Sequence, residues 1–183
     1  MRRDETWCRV LFVMALVVAQ AVSAATKQPN VIVVFVDDLG WTDLGCYDSK
    51  FYETPHIDQL AKQGVMFTRA YSSCNVCSPT RASLMTGKYP QRVGFTSWLN
   101  PGKISGANSA ATHLPASETT IGEAFQQAGY RTGYIGKWHV GSKKIGMPKQ
   151  HGFDWQMATA KHGLPGSYFH PYKKKGLSTA DVP

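Results

Sequence analysis

The sequence predicts an α/β fold, a mostly parallel central sheet flanked by helices. Three observations predict it. The β-branched run Val31-Ile32-Val33-Val34-Phe35-Val36 has the unbroken apolar character of a strand buried on both faces. The segments at Thr54-Pro55 and at Thr120-Ile121-Gly122-Glu123 carry helix-start chemistry. Strand-like and helix-like stretches then alternate as β-α-β-α-loop-α-β. A length of 183 residues suits one domain, and 43% hydrophobic against 17% charged residues favours a packed core over a disordered chain.

Residues 1–24 read as a secretory signal peptide, leaving 25–183 as a domain. Arg2, Arg3 and Arg9 give a basic start, residues 10–22 are almost wholly apolar, and Val22-Ser23-Ala24 offers small residues for cleavage. The apolar run is too short for a membrane span; an uncleaved anchor is the other reading. No cysteine follows the run, which argues against a bacterial lipid anchor. The expected location is secreted or periplasmic, with no stable membrane span.

The strand predicted over 31–36 ends at Asp37-Asp38-Leu39-Gly40. Thr54 as N-cap, Pro55 at the first helical position and Asp58 in the first turn open a helix. Ile57, Leu60 and Ala61 form its apolar stripe, and Gly64 stops it. Residues 65–70 read as a short strand. A second helix begins around Pro79, capped by Cys77 or Ser78, and runs to about Met85 before Gly87. Residues 88–116, rich in Gly, Pro, Ser and Asn, read as a long surface loop. Thr120 and Glu123 have capping-box spacing, Ile121, Ala124, Phe125 and Ala128 follow as a stripe, and Gly129 ends that helix. Residues 130–135 read as the next strand, leading into Gly136-Lys137-Trp138-His139-Val140-Gly141. From residue 142 onward no element is legible.

In parallel sheets ligands sit at the carboxyl ends of strands. Asp37-Asp38, Cys77 and Lys137/His139 each follow a predicted strand directly or after a few residues, so these are the candidate site. Adjacent carboxylates repel unless a cation or donors lie between them, and hard divalent ions prefer such oxygens; an ordinary turn is the bland alternative. Cys77 at a helix amino end faces unpaired N–H groups that favour an anion. Arg81, four residues on, adds a fixed positive charge. A lone cysteine is otherwise a small buried hydrophobe. Lys137 and His139 are two apart and would share a face in an extended segment. The ammonium suits an oxyanion and the imidazole suits proton transfer; otherwise both are solvated loop residues.

Cys74-Asn75-Val76-Cys77 is also a C-x-x-C, which admits a redox pair or half a zinc site. Neither has its usual surroundings here. Cys8 lies in the signal, so Cys46, Cys74 and Cys77 remain, an odd number that points to one thiol with its own chemistry. The formal net charge is +8. The basic residues are scattered apart from Lys143-Lys144 and Lys173-Lys174-Lys175. No nucleic-acid module is present, so no nucleic-acid partner is expected. The excess is either a solvated basic surface or a field that steers anionic substrates.

The run Cys77-Ser78-Pro79-Thr80-Arg81-Ala82-Ser83-Leu84-Met85-Thr86-Gly87 resembles the signature of the sulfatase family, within the alkaline-phosphatase-like superfamily. Pro29-Asn30, Thr54-Pro55-His56-Ile57-Asp58, Tyr89-Pro90-Gln91-Arg92 and Gly136-Lys137-Trp138-His139 support it, over roughly residues 29–155. The resemblance implies a truncated amino-terminal sulfatase domain. It implies oxidation of Cys77 to formylglycine by a formylglycine-forming enzyme. Asp37, Asp38 and Cys77 would touch calcium, or magnesium as the other hard cation. Arg81 would steady the formylglycine, Lys137 would bind sulfate, and His139 would hydrogen-bond the hydrate. The implied reaction is hydrolysis of a sulfate ester, on a sulfated carbohydrate for instance, to an alcohol and inorganic sulfate. Members of the family are usually more than twice as long and carry further ligands later, so this chain is expected to have little activity alone. A phosphonate or phosphodiester hydrolase of the same superfamily, and a non-catalytic exported protein binding sulfated glycans, are the two rival readings.

Overall fold

The computed structural model describes residues 28–99, 111–141 and 145–160. The expected signal peptide, the boundary at 24/25, both lysine clusters and the middle of the long loop lie outside them. The chain divides into two compact units, 1–39 and 40–183.

In the first unit residues 31–36 do not form the expected strand. Val31 to Val36 are 41–85% exposed. An apolar run becomes a buried strand only with ladder partners at its edges and cover on both faces, and residues 31–36 are too exposed to have that cover. Asp37 and Asp38 follow in a bend, Asp38 in the left-handed region at φ 55°.

The second unit begins with two 3₁₀ turns, Trp41–Asp43 and Gly45–Tyr47, before helix α1, Pro55–Gln63. Thr54 precedes α1 as expected, but its hydroxyl does not cap the helix backbone. It accepts the Gly45 N–H at 2.8 Å and donates to Asp58 Oδ1 at 2.9 Å. The same carboxylate oxygen accepts the Cys46 N–H at 2.7 Å. The pair thus ties the preceding turn to the helix. The stripe expected to be core is uncovered: Ile57 is 40% and Leu60 67% exposed, and α1 buries no residue. Residues 65–70 form no strand either.

Helix α2 spans Cys77–Thr86 and ends at Gly87, whose φ of 66° lets its N–H return to the Ser83 carbonyl at 2.8 Å. Its N-cap is Val76, so Cys77 does not cap the helix but begins it. The described parts of the long loop do not simply cross the surface. The 3₁₀ turn Pro90–Val93 and the residues after it bury Val93, Phe95 and Leu99, and Leu114 returns to the same core. Helix α3, Ile121–Gln127, has the expected capping box: Thr120 Oγ1 accepts the Glu123 N–H at 3.3 Å, and Glu123 Oε2 accepts the Thr120 N–H at 2.7 Å.

Strand β1 is Gly133–Lys137. It pairs in parallel with β2, Trp155–Ala160, which lies in the stretch where no element was expected. Gly133, Tyr134 and Ile135 face Trp155, Gln156 and Met157 in register, and a bulge then shifts Lys137 onto Ala160. Gly136 sits in that bulge at φ 96°, a conformation that favours glycine. The parallel pairing, with helices packed beside it, gives the α/β class predicted. Ala82 and Met85 of α2 join Val93, Phe95, Leu99, Leu114, Trp138, Val140 and Phe153 in one core. His151 is buried beside Trp138, and desolvation pushes its pKa down. Among the described residues no helix is long and apolar enough to cross a membrane.

Backbone approaches backbone where α3 meets the turn before β2. A Cβ on Gly122 would lie 2.5 Å from the His151 carbonyl oxygen and 2.8 Å from that of Gly152. Neither can swing aside as a side chain does. Gly122→Ala is therefore expected to destabilise the unit by about 1–3 kcal/mol, read as a lower urea midpoint. Gly87→Ala meets no such atoms and has only its left-handed φ against it.

Candidate active site

Cys77 occupies the first position of α2, where the helix leaves N–H groups unpaired. Its Sγ lies 3.2 Å from His139 Nδ1. The chain holds its amino-terminal approach with a hydroxyl cluster. Thr80 Oγ1 donates toward the Val76 carbonyl at 2.9 Å and the Cys74 carbonyl at 2.7 Å, and Ser72 Oγ lies 3.0 Å from Thr80 Oγ1. The His139 contact lowers the Cys77 thiol pKa most. Burial opposes it, while the positive fields of His139 and Lys137 and the Ser78 N–H assist.

His139 is 5% exposed and sits at φ 54°. A non-glycine residue there costs about 1–3 kcal/mol and persists only where its surroundings enforce it. They do so here. Trp138 on one side is fully buried and donates its indole N–H to the Gly146 carbonyl at 2.5 Å. His139 Nε2 lies 2.8 Å from the Leu99 carbonyl oxygen. The simple alternation expected for Lys137 and His139 does not apply, because β1 ends at Lys137 and the chain turns left-handed at His139.

Arg81, one turn after Cys77, is 5% exposed. Its Nη1 donates to the Lys137 carbonyl at 2.5 Å and toward the Tyr134 hydroxyl at 3.4 Å; that hydroxyl donates to the same carbonyl at 2.5 Å. The guanidinium thereby joins α2 to the end of β1 and fixes the segment that presents Lys137 and His139. Cys77, Arg81, Lys137 and His139 are brought together in the second unit. Asp37 and Asp38 belong to the first. Cys46, Cys74 and Cys77 are all free thiols, so the C-x-x-C forms no disulfide.

Sequence reasoning missed three participants. Tyr134 reads as an ordinary strand residue. Leu99 takes part through its backbone, which no side-chain pattern reports. Ser78 lies inside the motif, but its fully buried hydroxyl, accepting the Leu99 N–H at 3.0 Å, is a tertiary contact.

Among the described residues no group of three or more His, Cys, Asp or Glu is placed to hold a metal ion. Asp37 and Asp38 are hard oxygen donors of the right kind, but two carboxylates do not make up the six to eight oxygens calcium takes. The residues present do not by themselves fit a complete metal site. The aldehyde form of Cys77 fits better: a half-buried side chain at a helix amino end, with an imidazole in contact and a lysine field beside it.

The α/β domain thus sets a thiol at a helix amino end, faced by an imidazole and beside a buried arginine that braces the segment after β1. The sulfatase family model matches residues 29–179. N-acetylgalactosamine-6-sulfatase from Homo sapiens is 36% identical over 162 residues, covering 87% of this chain and 30% of the relative. Arylsulfatase A from Bos taurus is 40% identical over 145 residues, covering 78% and 27%. Among solved structures, PsFucS1 sulfatase from Pseudoalteromonas sp. superposes with a TM-score of 0.61 at 38% identity, covering 71% of this chain and 25% of that one. A protein solved in complex with its substrate D-glucosamine-2-N,6-O-disulfate gives a TM-score of 0.58 at 32% identity, covering 71% and 23%.

The chain belongs to the sulfatase family. It spans less than a third of the length of these relatives.

Proposed function

We propose that the protein is a sulfuric ester hydrolase of the arylsulfatase type, acting on a sulfate ester such as a sulfated carbohydrate. The observation that carries this is the 3.2 Å contact between Cys77 Sγ and His139 Nδ1 at the first turn of α2. Once a formylglycine-forming enzyme has oxidised Cys77, the aldehyde hydrate supplies two hydroxyls, one to attack sulfur and one to expel sulfate and regenerate the aldehyde. His139 Nδ1 is the base within reach of that group. Lys137, whose charge acts on Cys77, would hold a sulfate oxygen, and Arg81 would keep Lys137 and His139 in position relative to α2. Asp37 and Asp38 are the carboxylates that would contribute oxygens to a calcium or magnesium site. The basic excess of the chain favours polyanionic substrates. Residues 1–24 would direct the protein to the exterior or periplasm.

The test is turnover of an aryl sulfate and an aryl phosphodiester by the native protein purified from its own cells, beside Cys77→Ala made in the same cells. The sulfate ester is expected to be the faster substrate, with release falling to background in the variant. Equal or faster phosphodiester cleavage would move the protein to the phosphodiester branch of the superfamily. Sulfate release that survives Cys77→Ala would end the assignment. The 183-residue chain alone is expected to show little turnover.

A further inference from the structure

We propose that Ser78 is a positioning residue for His139: its buried hydroxyl holds the Leu99 peptide, whose carbonyl fixes the imidazole with Nδ1 directed at Cys77. The inference rests on the reading that His139 serves the Cys77 group. Three contacts form one line. The Leu99 N–H donates to Ser78 Oγ at 3.0 Å, the Leu99 carbonyl lies 2.8 Å from His139 Nε2, and His139 Nδ1 lies 3.2 Å from Cys77 Sγ. Ser78, Leu99 and His139 are all buried, Ser78 completely.

A carbonyl oxygen only accepts, so Nε2 must carry the proton. In the neutral ring Nδ1 is then the lone-pair nitrogen, and it faces the nucleophile. The same Nε2–H bond survives when Nδ1 gains a proton, because both nitrogens then donate. The Leu99 carbonyl can therefore hold the ring in either protonation state. Ser78 contributes from the other end of the peptide. It satisfies an otherwise buried N–H, and a peptide polarised at its N–H is a better acceptor at its carbonyl. The arrangement also gives the residue next to the nucleophile a function: α2 presents Cys77, and its second residue orients the imidazole that Cys77 needs.

The experiment uses the full 183-residue chain with Cys77 as the thiol, its imidazoles labelled with ¹⁵N and its leucine carbonyls with ¹³C. Long-range proton–nitrogen correlation at a fixed pH is expected to show His139 as the Nε2–H tautomer, coupled across the hydrogen bond to Leu99. Ser78→Ala is expected to convert that single pattern to an averaged one, and Ser78→Thr, which keeps the hydroxyl, to restore it. Near-ultraviolet circular dichroism checks that each variant keeps its tertiary packing. An Nδ1–H tautomer in the unsubstituted chain overturns the proposal without any variant. So does a Ser78→Ala chain that keeps its packing and an unaltered His139 pattern. The alkylation rate of Cys77 in His139→Ala tests the underlying reading separately. A slowed rate with an Nδ1–H ring leaves the reading standing and removes Ser78 from it; an unchanged rate removes both.

Discussion

Replacing His139 with alanine is expected to return the Cys77 thiol toward the ordinary cysteine pKa of about 8.5. The side-chain contact with His139 is the largest influence holding it down, and the electrostatic influence of the same residue adds to it. Burial then acts unopposed by either, and a buried thiol titrates high. Alkylation of Cys77 by iodoacetamide, followed by mass on its own peptide across a pH series, reads this directly. The Cys77 thiolate should form at lower pH in the unsubstituted chain than in His139→Ala. The sign for stability follows. A lowered folded pKa contributes stability that is present above the ordinary thiol value and lost as pH falls through the lowered one. The pH dependence of the urea midpoint should flatten in that window in the variant. Coincident alkylation profiles for the two chains would contradict the assignment.

The largest expected loss of stability is at Trp138. Its ring is fully buried, meets Tyr134 edge-on at 4.9 Å and Phe153 at 6.1 Å, and its N–H is bonded to Gly146. Trp138→Ala is expected to cost about 3–5 kcal/mol through lost burial and the cavity left behind. Trp138→Phe keeps most of the volume but strands the Gly146 carbonyl, at about 1–3 kcal/mol. Trp138 also separates Lys137 from His139 along the chain, so the cavity should loosen the left-handed backbone of His139. Urea midpoints ranked unsubstituted chain, then Phe, then Ala would agree with this. A midpoint unmoved by Trp138→Ala would show that the core is not organised around this ring.

The sequence exposed the parts of the fold whose causes are local. The Thr120–Glu123 box, the Gly87 terminator and Pro55 at the head of α1 each depend on residues within one turn, and all three are realised. What failed depended on distant partners. The run 31–36 and the stripe on α1 have the composition of buried elements, but burial needs a neighbour that composition does not name. The converse failure is β2: Trp155–Ala160 alternates only in two short, out-of-phase stretches, and its strand state is fixed by pairing with β1.

The site divides in the same way. Cys77, Arg81, Lys137 and His139 stand out by residue type and motif, and the structure brings them to one place. The route by which they meet was not legible. The bulge at Gly136, the left-handed turn at His139 and the arginine bond to the Lys137 carbonyl are tertiary outcomes. Leu99 lies far along the chain from both partners it connects, and only its peptide takes part.

If Cys77 is a nucleophile precursor and not a structural thiol, the native protein carries it as the aldehyde. The most direct measurement is the mass of the tryptic peptide spanning Cys77, taken from the native protein of its own cells. Oxidation to the aldehyde removes one sulfur and two hydrogens and adds one oxygen, so the account predicts a peptide lighter by that difference, carrying a carbonyl that reacts with a hydrazide. A Cys77 peptide found entirely as the thiol, in cells that oxidise the same signature in other proteins, would contradict it.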